Sequence, residues 1–358
     1  MPAPKQERIA VGEDDPIELL FARGVTDGLP VVPPTPERVG RMLAGAAGRD
    51  AAEVVGEIGP NYGRATVEKI AVNAVMAGCR PAYFPVVLAA VEALCDERFC
   101  AHGVQVTTSS ATPLTIINGP VRRQVGVNCG HNALGHGSRA NATIGRALRL
   151  VMLNVGGARP GEICKATMGH PAQFTHCLGE WEELSPWEPL HVERGFGREE
   201  STVTLFAGHS PFQISDHASR TAEQLVASIG WTMAALWNHK NYPLFGDTVL
   251  ILCPEHVKTI AADGWSKANV NRYLFENIRR PLKDLRPGKS GGEGAGAGRL
   301  PGLDTQGMDD DQLIPKFPSP EGITVVVAGG TAGRFSVAVP GWAGGSYGSK
   351  MVTKPVRT

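Results

Sequence analysis

Apolar residues recur at helical spacing in several stretches of the chain and cluster in shorter, strand-like runs elsewhere. Val67, Ile70, Ala71, Ala74 and Val75 mark one helix face, so a helix is predicted over residues 67–77, with Thr66 as its cap and Gly78 as its stop. Pro81 suits the first turn of a second helix through Leu94, which makes a helical hairpin with Cys79 at its bend. The strongest periodicity is at residues 139–153. There Ile144, Ala147, Leu148, Val151 and Met152 form a core stripe, and Arg139, Arg146 and Arg149 fall on the opposite face. The first ordered element is expected to begin near residues 15–20, and helices are also predicted at 36–43, 222–236, 254–262 and 266–278. Strands are predicted at 104–108, 114–118, 202–206, 248–252 and 323–328.

The remaining segments set the organisation. Residues 128–137 form a glycine-rich loop that leads into Ser138 and the arginine-bearing helix, and residues 158–200 read as a long functional loop region. Residues 287–320 are rich in Gly, Pro and Asp, as a flexible crossing segment would be. The run from Gly329 to Arg334 resembles a phosphate-cradling turn, but residues 335–339 read as a strand where a phosphate site needs a helix. A tight hairpin is therefore expected. There is no internal repeat. The pattern predicts an α/β fold, a mixed sheet with packed helices. A larger unit over residues 1–240 carries the candidate site, and a smaller α/β unit spans 241–358.

Composition narrows the partners. Of 358 residues, 35 are Lys or Arg and 35 are Asp or Glu, a balance that argues against nucleic acid or an anionic membrane as partner. No apolar run is long enough for a membrane helix. Seven cysteines, an odd number in a large chain, suggest reduced thiols in a cytoplasmic protein rather than a disulfide framework. A small anionic substrate and a homo-oligomeric assembly are expected.

Three groupings carry possible chemistry. Arg139, Arg146 and Arg149, with Asn132 nearby in sequence, would suit a carboxylate or phosphate beside a helix N-terminus, or else form a solvated face. Cys129, His131 and His136 have the donor atoms for zinc or another transition metal, although they can equally bond loop backbone. Cys95, Cys100 and His102 are a second, less regular set. Cys177 lies in a stretch with His176, Glu180, Glu182 and Glu183, which makes it a candidate nucleophile with His176 and Glu180 as acid/base groups. Nucleophile-elbow, zincin, C-x-x-C and Walker motifs are absent.

Several phrases together resemble one bacterial family. They are Thr26–Pro34, Thr66–Ile70 running to Ala77–Pro81, Arg139–Ala147, and Asp263–Lys267. They are similar to the long proteins associated with UGSC-type (seleno)proteins, a thiol or selenol redox-like group. The likeness covers most of residues 15–280 and the strand near residue 323. The short motif that names the group, a selenocysteine or cysteine followed by Gly-Ser-Cys, does not occur here. The resemblance thus implies an enzyme, or a component that serves a separate thiol or selenol protein, with Cys79, Cys177 and the arginine helix as positions of interest. Three functional expectations stand: a thiol-dependent enzyme forming or cleaving a carbon–heteroatom bond or running a redox step, a metal-dependent lyase or hydrolase, and a non-catalytic partner subunit.

Overall fold

The computed structural model describes residues 15–236, 246–286, 299–300, 303–342 and 348–357. Helices combine with mixed parallel and antiparallel sheet, an α/β fold. The chain divides into two compact units. The first is Met1–Glu180, Pro189–Ser210 and Gly348–Thr358, and the second is Trp181–Glu188 and Pro211–Tyr347. The main crossing thus falls at Pro211, earlier in the chain than residue 240, and the chain end returns to the first unit.

Eight strands make two four-stranded sheets: β1 Thr112–Asn118, β2 Cys177–Gly179, β3 Thr202–Gly208, β4 Phe212–Ser215, β5 Thr248–Leu252, β6 Ile323–Val327, β7 Phe335–Pro340 and β8 Val352–Pro355. The helices that pack on them include α1 Val67–Ala77, α2 Phe84–Leu94, α3 Arg139–Asn154, α4 Ala222–Ala235, α5 Pro254–Ala262 and α6 Lys267–Asn277.

In the first unit the strand order is β8-β3-β1-β2. β1 runs antiparallel to β3, with Leu114 opposite Phe206, and parallel to β2, with Thr115 opposite Cys177. Every residue of β1 and β3 is buried, as expected of central strands covered on both faces. α1 follows its sequence signals. Thr66 caps it by accepting from Lys69 N–H, and Gly78 closes it in the left-handed region at φ 91°, a conformation that costs glycine little. α1 and α3 are joined by a hydrogen bond between the amides of Asn154 and Asn73 at 2.8 Å. Asn154 also donates to Val25 O at 2.9 Å.

Two local expectations fail here for identifiable reasons. The apolar run at 104–108, read as a strand, belongs to the helix Ala101–Val106. Its backbone closes locally, with Val104 N–H donating to Cys100 O and Thr107 N–H to Gly103 O, and the buried Gln105 side chain donates to Gly59 O. Tertiary anchoring has overridden β propensity. The antiparallel pair Val54–Ile58 and Gly63–Thr66 was not predicted, since its short, Gly-bearing segments lack strict alternation.

In the second unit the order is β6-β5-β7-β4. β6 is parallel to β5 and β7 antiparallel to it, so Gly329–Arg334 does not close a tight hairpin: β5 lies between the strands it joins. Leu225, Val226 and Ile229 of α4, Val257 and Ile260 of α5, and Val270 and Leu274 of α6 share one core with Leu250, Leu252, Val325 and Val327. The expected crossing segment lies partly outside the described residues. Its later part includes Leu313–Pro315, paired antiparallel with Arg279–Pro281. Among the described residues no helix is long and apolar enough to cross a membrane.

α3 lies close to the chain entering β2 at Gly145, where a Cβ would lie 2.4 Å from Thr175 Oγ1 and 2.9 Å from His176 N. Alanine in a helix interior ordinarily gains up to about 1 kcal/mol over glycine. Here the clash outweighs that gain. Gly145→Ala should cost a net of about 1 to 3 kcal/mol by urea titration, and a more stable variant would contradict the packing described.

Candidate functional site

The β1–β2 pair carries a polar cluster at each end. At the C-terminal end, Glu180 follows β2 and is fully buried, its Oε2 accepting from Asn118 Nδ2 at 2.7 Å and from Leu190 N–H at 2.8 Å. Arg122, also buried, donates from Nη1 to Glu180 O at 2.7 Å and to Cys129 Sγ at 3.5 Å. Gly179 makes room for that sulfur, for a Cβ there would stand 2.5 Å from Cys129 Sγ. Cys129 itself is partly exposed. The loop that bears it is fixed by Asn141 of α3, whose Nδ2 donates to Asn128 O and Ala133 O and whose Oδ1 accepts from Asn128 N–H at 2.8 Å.

At the N-terminal end, Thr112, Leu148, Arg149, Met152, Gln173 and His176 are among the residues around a small cavity with room for about one water molecule. Arg149 donates from Nε to Gln173 O at 2.7 Å and from Nη2 to Thr112 Oγ1 at 2.8 Å. Burial holds its pKa below the ordinary guanidinium value. His176 is buried, and neither of its ring nitrogens has a hydrogen-bond partner. Burial above all, helped by His170, pulls its pKa down to about 3, so the ring is neutral at physiological pH.

The predicted site residues separate between these clusters. Cys177, His176 and Glu180 do not form one catalytic group: His176 lines the cavity, while Glu180 is bound at the other strand end. Cys177 is 4% exposed, and burial drives its thiol well above the usual range, with Cys79 and Cys129 adding to the shift. It is a protonated, enclosed thiol, which removes the basis for reading it as the attacking nucleophile. Cys79 is pushed up to about 12 by the same cause. None of the seven cysteines is in a disulfide.

The three arginines do not converge on one site: Arg139 is exposed, while Arg146 and Arg149 are half-buried and bonded to different segments. Arg139 bonds Gly78 O at 3.0 and 2.9 Å, and Arg146 holds Asp27 with two 2.8 Å contacts while also reaching Pro30 O at 2.9 Å. Asp27 and Pro30 bind Arg146 and Gln173 binds Arg149, so the part of the face that carries these two arginines is covered by chain that periodicity cannot register. Asn132, His131 and His136 stand exposed on the loop. Among the described residues no three His, Cys, Asp or Glu side chains converge as metal ligands, so neither Cys129, His131 and His136 nor Cys95, Cys100 and His102 come together as a ligand set. Sequence reasoning passed over Arg122, Thr112 and Asn141. Arg122 carried only a faint signal, a basic residue seven positions before a loop cysteine.

Two outcomes follow from this geometry. Arg146→Ala should destabilise the fold by about 3 kcal/mol, because it strands the buried Asp27 carboxylate. Adding Asp27→Asn should restore part of that loss, and strict additivity would remove the pair. For His176, the folded pKa lies below the ordinary 6.5, so unfolding takes up a proton below that pH. Its contribution to stability is complete above pH 6.5 and falls with acidification, by about 1.4 kcal/mol per pH unit while one proton is at stake. His170 shifts in the same direction. Urea midpoints between about pH 6.5 and 4.5 should drop less steeply in His176→Phe than in the wild type, and parallel slopes would show the ring is not the group titrating.

Comparisons with family models, with curated proteins and with solved structures give no match to this chain.

Proposed function

We propose that this chain is a thiol-dependent enzyme acting on a small anionic substrate, with Cys129 as its reactive sulfur. The observation that carries the reading is the contact from the buried Arg122 guanidinium to Cys129 Sγ at 3.5 Å. A fixed cation at that distance favours thiolate, the nucleophilic form, and partial exposure lets a substrate reach it. The Cys129 loop also runs into the N-terminus of α3 through Ser138, and helix N-termini favour anions.

Cys177 lies two positions before Gly179 on β2 and so shares the face over which the Cys129 sulfur packs. A second thiol beside the reactive one supports the redox branch of thiol chemistry over carbon–heteroatom cleavage. The resemblance to proteins associated with UGSC-type proteins points in the same direction, with a separate thiol or selenol protein as exchange partner. A metal-dependent reaction lacks a converging ligand set among the described residues.

Alkylation by iodoacetamide, followed cysteine by cysteine in the folded protein by mass spectrometry, tests the assignment. Cys129 should react at least about tenfold faster than Cys177, and Cys129→Ser should abolish the fast phase while leaving the melting temperature near that of the wild type. A fast phase that survives Cys129→Ser, or uniform rates at all seven cysteines, would overturn it.

A further inference from the structure

Cys129 and Cys177 belong to two stretches of chain that a shared set of hydrogen bonds holds side by side. Gly179 N–H donates to Asn128 O at 3.3 Å, and Asn141 Nδ2 donates both to Asn128 O at 2.9 Å and to Cys177 O at 3.3 Å. Cys177 and Gly179 project from one face of β2, roughly 6 to 7 Å apart along the strand. The Cys129 sulfur fills the place that a side chain at 179 would take, so it is the neighbour of Cys177 on that face. The two thiols also act on each other electrostatically. Their access differs. Cys129 is partly exposed, whereas Cys177 is buried, so a substrate meets Cys129 first. Cys79, the other thiol that influences Cys177, is buried as well and donates to Thr143 O at 3.3 Å.

We propose that Cys177 is the resolving thiol of Cys129 and that the substrate class is a disulfide. This rests on the reading of Cys129 as the reactive sulfur. In the first step the Cys129 thiolate attacks a disulfide R–S–S–R, forming Cys129–S–S–R and releasing one thiolate. In the second step Cys177 gives its proton to solvent and attacks the Cys129 sulfur. The bond from Cys129 to the R-bearing sulfur breaks, a Cys129–Cys177 disulfide forms, and the second thiolate leaves. The substrate gains two electrons, and the two cysteines supply them. Chains this close lie near the Cα separations of about 4.4 to 6.8 Å that a disulfide spans, and rotation of the two side chains brings sulfur to sulfur. Burial keeps Cys177 protonated, which makes the second step the slower one. Its intramolecular character offsets the small thiolate fraction. The same burial keeps Cys177 from taking up substrate in place of Cys129.

Limiting 5,5′-dithiobis(2-nitrobenzoate), an aryl disulfide, added to the reduced full chain tests the proposal, with the released thiolate followed by absorbance and the cysteines mapped by mass spectrometry without reduction. In the wild type an aryl adduct at Cys129 should be short-lived and give way to a peptide linked from Cys129 to Cys177, with a second, slower release of thiolate. In Cys177→Ser and in Cys177→Ala the adduct at Cys129 should persist at least about tenfold longer, and the slower release should vanish. The wild-type map does not depend on how either variant folds. A wild-type Cys129 that keeps its adduct, or that links to Cys79 or to any cysteine other than Cys177, would overturn the resolving role. If Cys129 still alkylates fast in that case, the reactive-thiol reading stands and only the resolving role is lost. A Cys129 that is slow towards both iodoacetamide and the aryl disulfide would overturn both.

Discussion

The close approach of α3 to the β1–β2 strand pair is the constraint on which the first unit depends. A helix can lie against a strand at backbone distance only where one of them lacks a side chain, and Gly145 supplies that gap facing Thr175 and His176. One turn earlier, Asn141 uses the proximity: its amide reaches Cys177 O at 3.3 Å as well as the carbonyls of Asn128 and Ala133. One turn later, Arg149 reaches Thr112 at the start of β1. A single contact therefore fixes the Cys129 loop on one side and the Arg149–Thr112 contact on the other. Moving the helix outward by the width of a methyl group would loosen both.

The two clusters handle buried charge in different ways. Around Glu180 the acceptors and donors are supplied by protein: an asparagine amide, a main-chain N–H and a nearby guanidinium, all at hydrogen-bonding distance. Such a network rigidifies its surroundings, and the position of Cys129 inherits that rigidity. At the other end the protein supplies no partner to either ring nitrogen of His176. An orphaned buried ring nitrogen costs about 1 to 3 kcal/mol, a large fraction of the stability of a typical domain.

Most helices and central strands were legible in the sequence because local signals and burial agreed. The Thr66 cap, the Gly78 stop and the stripe Ile144–Met152 each had one physical meaning, and the structure uses them so. β5 and α5 have the predicted bounds for the same reason: a run of four apolar residues after Thr248, then a proline at the first helical turn. The site was much less legible. Helical periodicity sorts Arg139, Arg146 and Arg149 to one side but says nothing about what lies over that side, and segments more than twenty residues distant supply the cover. Adjacency misled at Cys177 as well. His176 and Glu180 are near it in sequence, yet an extended chain sends neighbouring side chains apart and carries the carboxylate to the far end of the strand.

The contrast between Cys129 and Cys177 shows what sequence context can and cannot say about a thiol. Polar neighbours in the chain made Cys177 look reactive, but reactivity follows from solvent and charge at the sulfur itself. Along β2 every residue is buried, so the hydroxyl, imidazole and carboxylate groups that flank Cys177 in sequence bring no water or charge to its sulfur. Cys129 has a blander sequence setting of glycine and asparagine. That composition lets the loop bend back over Gly179, which leaves an opening of one side chain, and there the sulfur meets a guanidinium held by a strand-end carbonyl. The small residues that make the loop uninformative to periodicity are therefore the ones that bring thiol and cation together.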